Sequence, residues 1–208
     1  MPYSVMIVDD QKMPRSLFEM MVNSSSDFEV AHSIASAGAA DLYMIKNPVD
    51  LVIMDIIMAD GSNGLEAAAR IKKIAPSTKI LIVTSMPEVS FLNRAREIGV
   101  DSFWYKEVED EPLLDVMRRT MAGENVYPET TPSVKLGDAD SSEFTEREME
   151  VLRVLSTGCS DQEIAERLHI SMSTLRTHIG HMLEKTGYDN RTELAINARL
   201  SGMVVPEI

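Results

Sequence analysis

Five side chains that could do chemistry follow directly after short apolar runs of the sequence. They are Asp9, Asp10, Asp55, Thr84 and Lys106. Clustered carboxylates repel one another unless a cation joins them, and carboxylate oxygens suit Mg²⁺. A carboxylate beside Mg²⁺ and a lysine is well placed to attack phosphorus, because both cations offset the charge of the phosphoryl oxygens. These residue types predict a magnesium-dependent phosphoryl-transfer site, with Asp55 as the nucleophile and the Thr84 hydroxyl as a donor.

Parallel β-strands are the elements that would bring these side chains together. The run Leu51–Met54, which leads into Asp55, is apolar at every position. Such a run is typical of a strand that helices cover on both faces. The carboxyl ends of parallel strands meet at one edge of the sheet, where open α/β sheets bind ligands. We therefore expect the five side chains to meet at that edge, with Asp55 on the central strand.

Residues 1–122 alternate between strand-like and helix-like segments, a pattern that predicts successive right-handed βαβ units. Five such units give an α/β doubly wound, five-stranded parallel sheet. The helix predicted at 39–45 is expected to direct Leu42 and Ile45 towards the sheet. Gly123 is expected to end the fifth helix and with it the first domain.

Residues 123–142 change in character, since they are rich in Pro, Thr, Gly and Asp and offer little apolar material. This composition predicts a linker. Residues 143–208 then follow a purely helical period, which predicts an all-α domain of four helices. The residues expected to cap the N-termini of these helices are Thr145, Ser160, Ser171 and Asn190.

The third of these helices has one apolar face and one polar face. Leu175, Ile179 and Met182 recur at helical spacing and are expected to face the core, whereas Thr177 and its neighbours point outwards. A short helix at 160–168 precedes it after a tight turn. Two short helices joined in this way indicate a helix-turn-helix.

Composition limits the classes of protein to which the chain can belong. The single cysteine, Cys159, excludes an internal disulfide and points to a reducing compartment. No secretory leader is recognisable, and no apolar run approaches the roughly 20 residues of a membrane span. We therefore expect a cytoplasmic protein without membrane contact. The net charge of -13 means that any binding of nucleic acid must rely on a local patch.

The first domain resembles the receiver domain of bacterial response regulators. The resemblance rests on the ordered set Ile7-Val8-Asp9-Asp10, Asp55 with Met58, Thr84-Ser85 and Lys106. It implies a flavodoxin-like fold in which Asp55 accepts a phosphoryl group from a sensor histidine kinase. It also implies that Mg²⁺ is held by Asp10 and Asp55 directly, by Asp9 through water and by the backbone carbonyl of Ile57.

The same resemblance implies a switch. Thr84 and Lys106 would contact the phosphoryl group, and Phe103 would turn inward when Thr84 moves. The chain departs from the family pattern in the loop after Met58, where family members usually have Pro and this chain has Ala59. The glycine that follows in the pattern is Gly64 here, one residue later than usual.

The C-terminal domain closely resembles the NarL/LuxR-type DNA-binding domain. The matching residues include Thr145-Glu146-Arg147-Glu148, Glu163-Ile164-Ala165, Thr174-Leu175-Arg176, His178, Lys185 and Gly187. The resemblance implies that the helix Ser173–Lys185 enters the major groove of double-stranded DNA. The residues expected at or near DNA are Ser173, Thr174, Arg176, Thr177, His178, His181, Lys185 and Arg191.

The net charge of the C-terminal domain leaves an alternative function open. From Asp140 onward the chain carries seven basic and twelve acidic residues, so this domain is net acidic and phosphate contacts should be modest unless two copies bind together. We predict a response regulator transcription factor that forms a homodimer when phosphorylated and is not a turnover enzyme. One alternative is a phosphorylation-dependent interaction module without a DNA target. A less favoured one is an aspartyl-phosphate phosphatase, which usually has a second acid where this chain has Ile57.

Overall fold

The computed structural model describes residues 1–86, 89–106, 112–129 and 131–204, and for Val89 it describes the backbone alone. The chain divides into two compact units, whose main parts are Met1–Ser85 with Val89–Thr130, and Thr131–Ile208. Each unit has its own apolar core.

The first unit is built on a five-stranded parallel sheet, as the sequence predicted. Its strands are β1 (Tyr3–Val8), β2 (Phe28–Ile34), β3 (Leu51–Met54), β4 (Lys79–Thr84) and β5 (Ser102–Tyr105). Their order in the sheet is β2-β1-β3-β4-β5, and every neighbouring pair is parallel. The central strand β3 is buried on both faces, which explains why its sequence shows no alternation of apolar and polar residues.

Helices cover both faces of this sheet. They are α1 (Lys12–Asn23), α2 (Ala40–Lys46), α3 (Gly64–Ile74), α4 (Val89–Ile98) and α5 (Leu113–Met121). Phe18 of α1 and Met117 of α5 belong to the core on one face, and residues of α2, α3 and α4 form the core on the other. Burying each large apolar side chain in these layers contributes roughly 1.5–3 kcal/mol. The edge at the carboxyl ends of the strands is therefore fixed by two packed layers.

Helix α2 presents a different face to the sheet from the one that the sequence predicted. Leu42 and Ile45 are 58% and 65% exposed, whereas Ala40 and Met44 are buried. Both pairs have helical spacing, so periodicity alone did not distinguish them. Ala40 is small enough for the helix to approach the sheet closely, and the flexible Met44 side chain fills the remaining space. The prediction for Leu42 and Ile45 was wrong for this reason.

The segment after α5 covers the outer edge of β5, although it lies within the predicted linker. The Phe103 N–H donates to the Val126 carbonyl at 2.8 Å, and the Val126 N–H donates to the Ser102 hydroxyl at 3.1 Å. Val126 packs against the core on the α1 and α5 side, and Tyr127 packs against the opposite core. Successive residues of a strand alternate in this way. Val126 thus gives the edge strand β5 a hydrogen-bond partner for one backbone group that would otherwise be unpaired, and Tyr127 packs beside it.

The second unit contains a short hairpin followed by helices. Its elements are β6 (Lys135–Leu136), β7 (Ala139–Asp140), a 3₁₀ turn (Ser141–Glu143), α6 (Glu146–Leu155), α7 (Asp161–Arg167), α8 (Met172–Thr186) and α9 (Arg191–Leu200). The four helices were predicted and the hairpin was not. Leu136 and Ala139 of the hairpin are buried in the helical core, so this end of the predicted linker also packs.

All four predicted helix caps of this unit are confirmed. The Thr145 and Ser160 hydroxyls accept from the backbone N–H of Glu148 and Glu163, whose carboxylates return the bond in a capping box. Ser171 accepts from Thr174, and the Asn190 side chain accepts from two N–H groups of α9. Each such cap is worth about 1 kcal/mol. Of the helices in the described ranges, none is long and apolar enough to cross a membrane.

Candidate phosphoacceptor site and nucleic-acid interface

Three carboxylates meet at the carboxyl edge of the sheet, and we call Asp9, Asp10 and Asp55 the acidic edge. Strand pairing places them there, because Val8 and Met54 are register partners and the Asp55 N–H donates to the Val8 carbonyl at 2.8 Å. One oxygen from each carboxylate lies within 4.8 Å of one from each of the others. The cluster predicted from strand ends is therefore present.

Lys106 is the cation that holds this cluster together. Its ammonium donates to Asp55 Oδ2 at 2.6 Å and to Asp9 Oδ2 at 2.8 Å. The lysine side chain is only 10% exposed, and those of Asp9 and Asp55 are 0% and 7% exposed. At this burial the pairing is screened much less by salt than a surface ion pair would be.

Most oxygens of the acidic edge accept a hydrogen bond. Besides the two bonds from Lys106, Asp9 Oδ1 accepts from the Gln11 N–H at 2.9 Å and Asp55 Oδ1 from the Ile56 N–H at 2.7 Å. The Ala59 N–H donates to Asp10 Oδ2 at 2.8 Å. The remaining oxygen, Asp10 Oδ1, is buried and has no hydrogen-bond partner among the described residues.

The unpartnered Asp10 oxygen tests whether this site fits a metal ion. A buried carboxylate oxygen without a partner carries a desolvation cost that a cation would remove. The side-chain donors are all carboxylate oxygens, which suit a hard divalent ion. The residues present therefore fit a divalent cation.

Charge in the site is unbalanced. Burial raises the pKa of the Asp55 carboxyl above its ordinary value, and the neighbouring Asp9 adds to this rise, whereas Lys106 and the Ile56 N–H oppose it. A raised carboxyl pKa means that the folded protein disfavours the negative charge at Asp55. Among the described residues, three acids face one lysine, and the nearby Arg15 guanidinium donates to the Asp9 backbone carbonyl at 2.5 Å rather than to a carboxylate. A further positive charge would therefore stabilise the site.

The other predicted residues of this site lie around it. Thr84 is buried at the end of β4, and its carbonyl accepts from the Lys106 N–H at 2.9 Å. Ile57 forms an isolated antiparallel bridge with Asn63 in the loop beyond Asp55. Phe103 is 2% exposed, and its ring lies 5.1 Å from that of Tyr105 and 6.3 Å from that of Tyr127. Phe103 is thus directed into the core.

Gly64 is a residue whose role at this site the sequence did not reveal. A Cβ atom at this position would lie 1.8 Å from the carbonyl oxygen of Asp55. The Gly64 N–H also donates to the Ile56 carbonyl at 2.7 Å. Any side chain here would therefore push the backbone of the central acid away from the edge. The signal in the sequence was a glycine at the first position of α3, where a side chain is normally tolerated.

Helix α8 of the second unit carries the residues predicted to contact DNA. Leu175, Ile179 and Met182 are buried, as predicted. The opposite face is exposed at Ser173, Thr174, Arg176, Thr177 and His181, and His178 is half-buried. Among the described residues no acid pairs with the Arg176 guanidinium. This polar face is the one on which the sequence predicted the contacts with DNA.

Lys185 and Arg191 make their ion pairs inside the second unit. The Lys185 ammonium donates to Glu148 Oε2 and to the Glu143 carbonyl, both at 2.7 Å. Arg191 pairs with the Asp161 carboxylate. These bonds tie α8 to α6 and α9 to α7. The contact of Lys185 and Arg191 with DNA stays a prediction.

Comparison with known proteins covers both units. The response regulator receiver domain family matches residues 5–118, and the luxR family of bacterial regulatory proteins matches residues 142–198. Response regulator protein VraR of Staphylococcus aureus is 36% identical over 203 residues, which are 95% of this chain and 97% of VraR.

Solved structures agree with this assignment. A DNA-binding response regulator of the LuxR family from Staphylococcus aureus is similar over 57% of this chain and 98% of its own, with 28% identity and a TM-score of 0.53. RcsB, solved as two dimers bound to two parallel DNAs, is similar in fold over 96% of this chain and 98% of its own, with 19% identity and a TM-score of 0.62. The chain therefore belongs to the response regulators, with a receiver domain followed by a DNA-binding domain of the luxR family.

Proposed function

We propose that Asp55 accepts a phosphoryl group from the phosphohistidine of a sensor histidine kinase and that this modification controls DNA binding. The observation that carries the proposal is the pair of bonds from Lys106 to Asp55 and Asp9 at the acidic edge. A buried carboxylate on the central strand, with a lysine beside it and excess negative charge around it, has the groups that phosphoryl transfer to an acid requires.

The transfer forms a bond between an Asp55 oxygen and phosphorus and breaks the bond between phosphorus and the histidine nitrogen. The leaving imidazole takes up a proton, and Asp55 becomes an acyl phosphate. Lys106 stands close enough to shift from the carboxylates to the phosphoryl oxygens, and the Thr84 hydroxyl is proposed to donate to another of them. Mg²⁺, held by the carboxylates of the acidic edge and the Ile57 carbonyl, would neutralise charge on the acids and the phosphoryl group.

The response to phosphorylation is proposed to be a shift between two states of the receiver. New negative charge at Asp55 is proposed to attract the Thr84 hydroxyl, and Phe103, which is already buried here, is proposed to turn further inward into the space that Thr84 leaves. Support comes from the position of Phe103, which is on the strand next to Thr84 and packs against Tyr127. The modified chain is a phosphoacceptor that promotes its own phosphorylation and dephosphorylation, and it is not proposed to turn over another substrate.

Recognition of double-stranded DNA is assigned to α8. The exposed face with Arg176 and Thr177 is proposed to approach base edges, and Ser173, Thr174, His178 and His181 to lie near phosphates or bases. The second unit is net acidic, so we propose that phosphorylation favours a homodimer whose two copies bind together. The RcsB dimers on DNA support this arrangement.

The domain boundaries also stay a proposal. We place the receiver at 1–122, the linker at 123–142 and the DNA-binding domain at 143–208. The contacts of Val126 with β5 and of Leu136 with the helical core shorten the part of this linker that is free of both units.

Phosphorylation with acetyl phosphate and Mg²⁺ tests the proposal. Intact mass spectrometry should show one added phosphoryl group on the wild-type chain and none on Asp55→Ala. Glu66→Ala is a matched control, because Glu66 is an exposed acid in the first turn of α3 and should leave the uptake unchanged. Uptake by Asp55→Ala, or no uptake by the wild-type chain, would contradict the proposal.

A further inference from the structure

The loop that follows Asp55 brings a backbone N–H group into the acidic edge. Met58 to Gly61 form a tight turn, in which the Gly61 N–H donates to the Met58 carbonyl at 3.0 Å. Ala59 is the second residue of this turn, and its side chain is exposed. Its N–H points back to Asp10 Oδ2 at 2.8 Å. The contact of Ala59 with the acidic edge is therefore made by its amide and not by its side chain.

The rest of the loop holds this amide in place. The Ser62 hydroxyl accepts from the Ala37 N–H at 3.1 Å, which anchors the loop to the segment before α2. The Asn63 side chain accepts from the Leu65 N–H at 2.8 Å and so fixes the start of α3. Because the loop is anchored in this way just beyond the turn, the Ala59 N–H cannot follow Asp10 if that side chain rotates.

Asp10 is the acid that this bond orients. One of its oxygens is taken by Ala59, and the other, Oδ1, is buried with no partner among the described residues. A carboxylate with one oxygen bonded to a fixed donor loses freedom about its last torsion. Hydrogen bonds of this kind orient metal ligands, and their loss typically lowers metal affinity by about 10–100-fold.

We propose that the Ala59 N–H is a positioning group for the cation of the receiver, which holds Asp10 so that Oδ1 is presented to the metal. The inference rests on the proposed function, because it takes the acidic edge as a Mg²⁺ site. It concerns a feature of this chain's own loop: a proline, the residue usual here in the family that the sequence resembles, has no N–H and could not make the bond.

The substitution Ala59→Pro tests this directly. Proline is favoured at the second position of a β-turn, and its ring Cδ atom replaces the amide hydrogen. Asp10 Oδ2 therefore loses its donor and has to turn away from the position that this bond gave it. Ala59→Ser is the matched control, since it keeps the N–H. Titration of the full-length, unphosphorylated chain with Mg²⁺, and separately with Mn²⁺, by isothermal calorimetry should give a dissociation constant about 10-fold higher for Ala59→Pro. Ala59→Ser should match the wild type.

The outcomes separate this inference from the proposed function. If the wild type binds neither ion, the magnesium part of the proposed function fails. If the wild type binds and Ala59→Pro binds equally well or more tightly, the inference alone is overturned, since the amide then does not help Asp10 or competes with the metal.

Amide hydrogen exchange on the wild-type chain covers the case in which Ala59→Pro does not fold. The Ala59 amide, although its residue is exposed, should exchange slowly with and without Mg²⁺, because the bond to Oδ2 persists when Oδ1 binds the ion. Exchange as fast as that of an unstructured amide in either state would overturn the proposal.

Discussion

Lys106 and Lys185 both contact nearly buried carboxylates, and the two arrangements differ in how their charges balance. In the DNA-binding domain, Lys185 faces Glu148 one to one, and Glu148 also accepts from the Thr145 N–H at 2.8 Å. In the receiver, Lys106 faces Asp9 and Asp55, with Asp10 nearby and one of its oxygens unpartnered among the described residues. The first arrangement is complete in itself, whereas the second has an excess of negative charge.

This difference in charge balance distinguishes an ion pair that only stabilises the fold from a site that can bind a ligand. A balanced pair whose charges are matched and hydrogen-bonded gains nothing from a further ligand, so it serves to hold α6 and α8 together. An unbalanced cluster at the edge of a sheet is stabilised by a cation and responds to a change of charge at Asp55. Distance does not distinguish the two, because the Lys106–Asp55 and Lys185–Glu148 contacts are 2.6 and 2.7 Å long.

Breaking the balanced pair should have the largest effect on stability. Lys185→Met leaves Glu148, whose side chain is 3% exposed, without its cation, and the unfolding free energy should fall by about 3 kcal/mol. Urea denaturation of the full chain measures this change. The double variant Lys185→Met with Glu148→Leu should recover part of the loss, since no buried charge remains but the Thr145 N–H loses its capping-box acceptor.

An exposed ion pair provides the control for this prediction. Arg94 and Glu97 have side chains that are 62% and 66% exposed, so Arg94→Met should change the unfolding free energy by less than about 0.5 kcal/mol. A loss for Lys185→Met as small as that for Arg94→Met would mean that the pair on α8 is not structural.

Removal of the receiver lysine should have a slightly smaller effect that depends on metal. Lys106→Met leaves the acidic edge without this cation, and stability in EDTA should fall by about 2 kcal/mol. The loss is smaller than for Lys185→Met because Asp55, whose carboxyl pKa is already raised by burial, can take up a proton instead of staying charged. Mg²⁺ should restore part of this loss, because a ligand that binds the folded state stabilises it. The same addition should not rescue Lys185→Met. If Mg²⁺ stabilises neither Lys106→Met nor the wild type, the comparison between the two lysines loses its basis.

Loss of the Arg176 guanidinium on α8 should affect binding without affecting stability. Arg176→Ala is expected to weaken binding to a duplex selected by the phosphorylated wild type by about 1–3 kcal/mol, roughly 5- to 150-fold. Its unfolding free energy should stay within about 0.5 kcal/mol of the wild type. Mobility shift and urea denaturation give the two readouts, with Arg94→Ala as a control of equal charge change. Unchanged affinity would remove Arg176 from the DNA interface.

The smallest expected effect is the pH dependence that Glu148 contributes. Burial alone would raise its pKa, but the hydrogen bonds from Lys185 and Thr145 hold the pKa below the ordinary 4.5. The folded state therefore favours the charged form. Its contribution to stability is present above about pH 4.5 and is lost as pH falls through the lower pKa of the folded state. Urea denaturation from neutral to acidic pH should show a steeper loss for the wild type than for Glu148→Gln.

Local features of this chain were readable from its sequence. The four caps Thr145, Ser160, Ser171 and Asn190 were predicted correctly because a cap depends on residues within one turn of itself. The acidic edge joins distant segments but was also predictable, since the pair Asp9-Asp10 and the single Asp55 each follow a buried run and parallel strands end at one edge. The sheet and the helical domain followed from the same kind of pattern.

Contacts that depend on side-chain packing or on a single backbone group were not readable. Leu42 and Ile45 were assigned to the wrong side of α2, because two apolar pairs shared helical spacing and only packing chose between them. The bond from Ala59 to Asp10 joins residues 49 positions apart and involves a backbone group, which no side-chain pattern reports. The pairing of Val126 with β5 was missed because the surrounding composition indicated a linker.

The cover that Val126 and Tyr127 form over β5 has a practical consequence for anyone who divides this chain into fragments. A fragment that stops at residue 122 exposes the unpaired backbone groups of β5. A second fragment can pair its own strand with them, and this pairing leads to aggregation. A fragment that continues through residue 129 includes Val126 and Tyr127, which cover β5, and should remain monomeric at higher concentration.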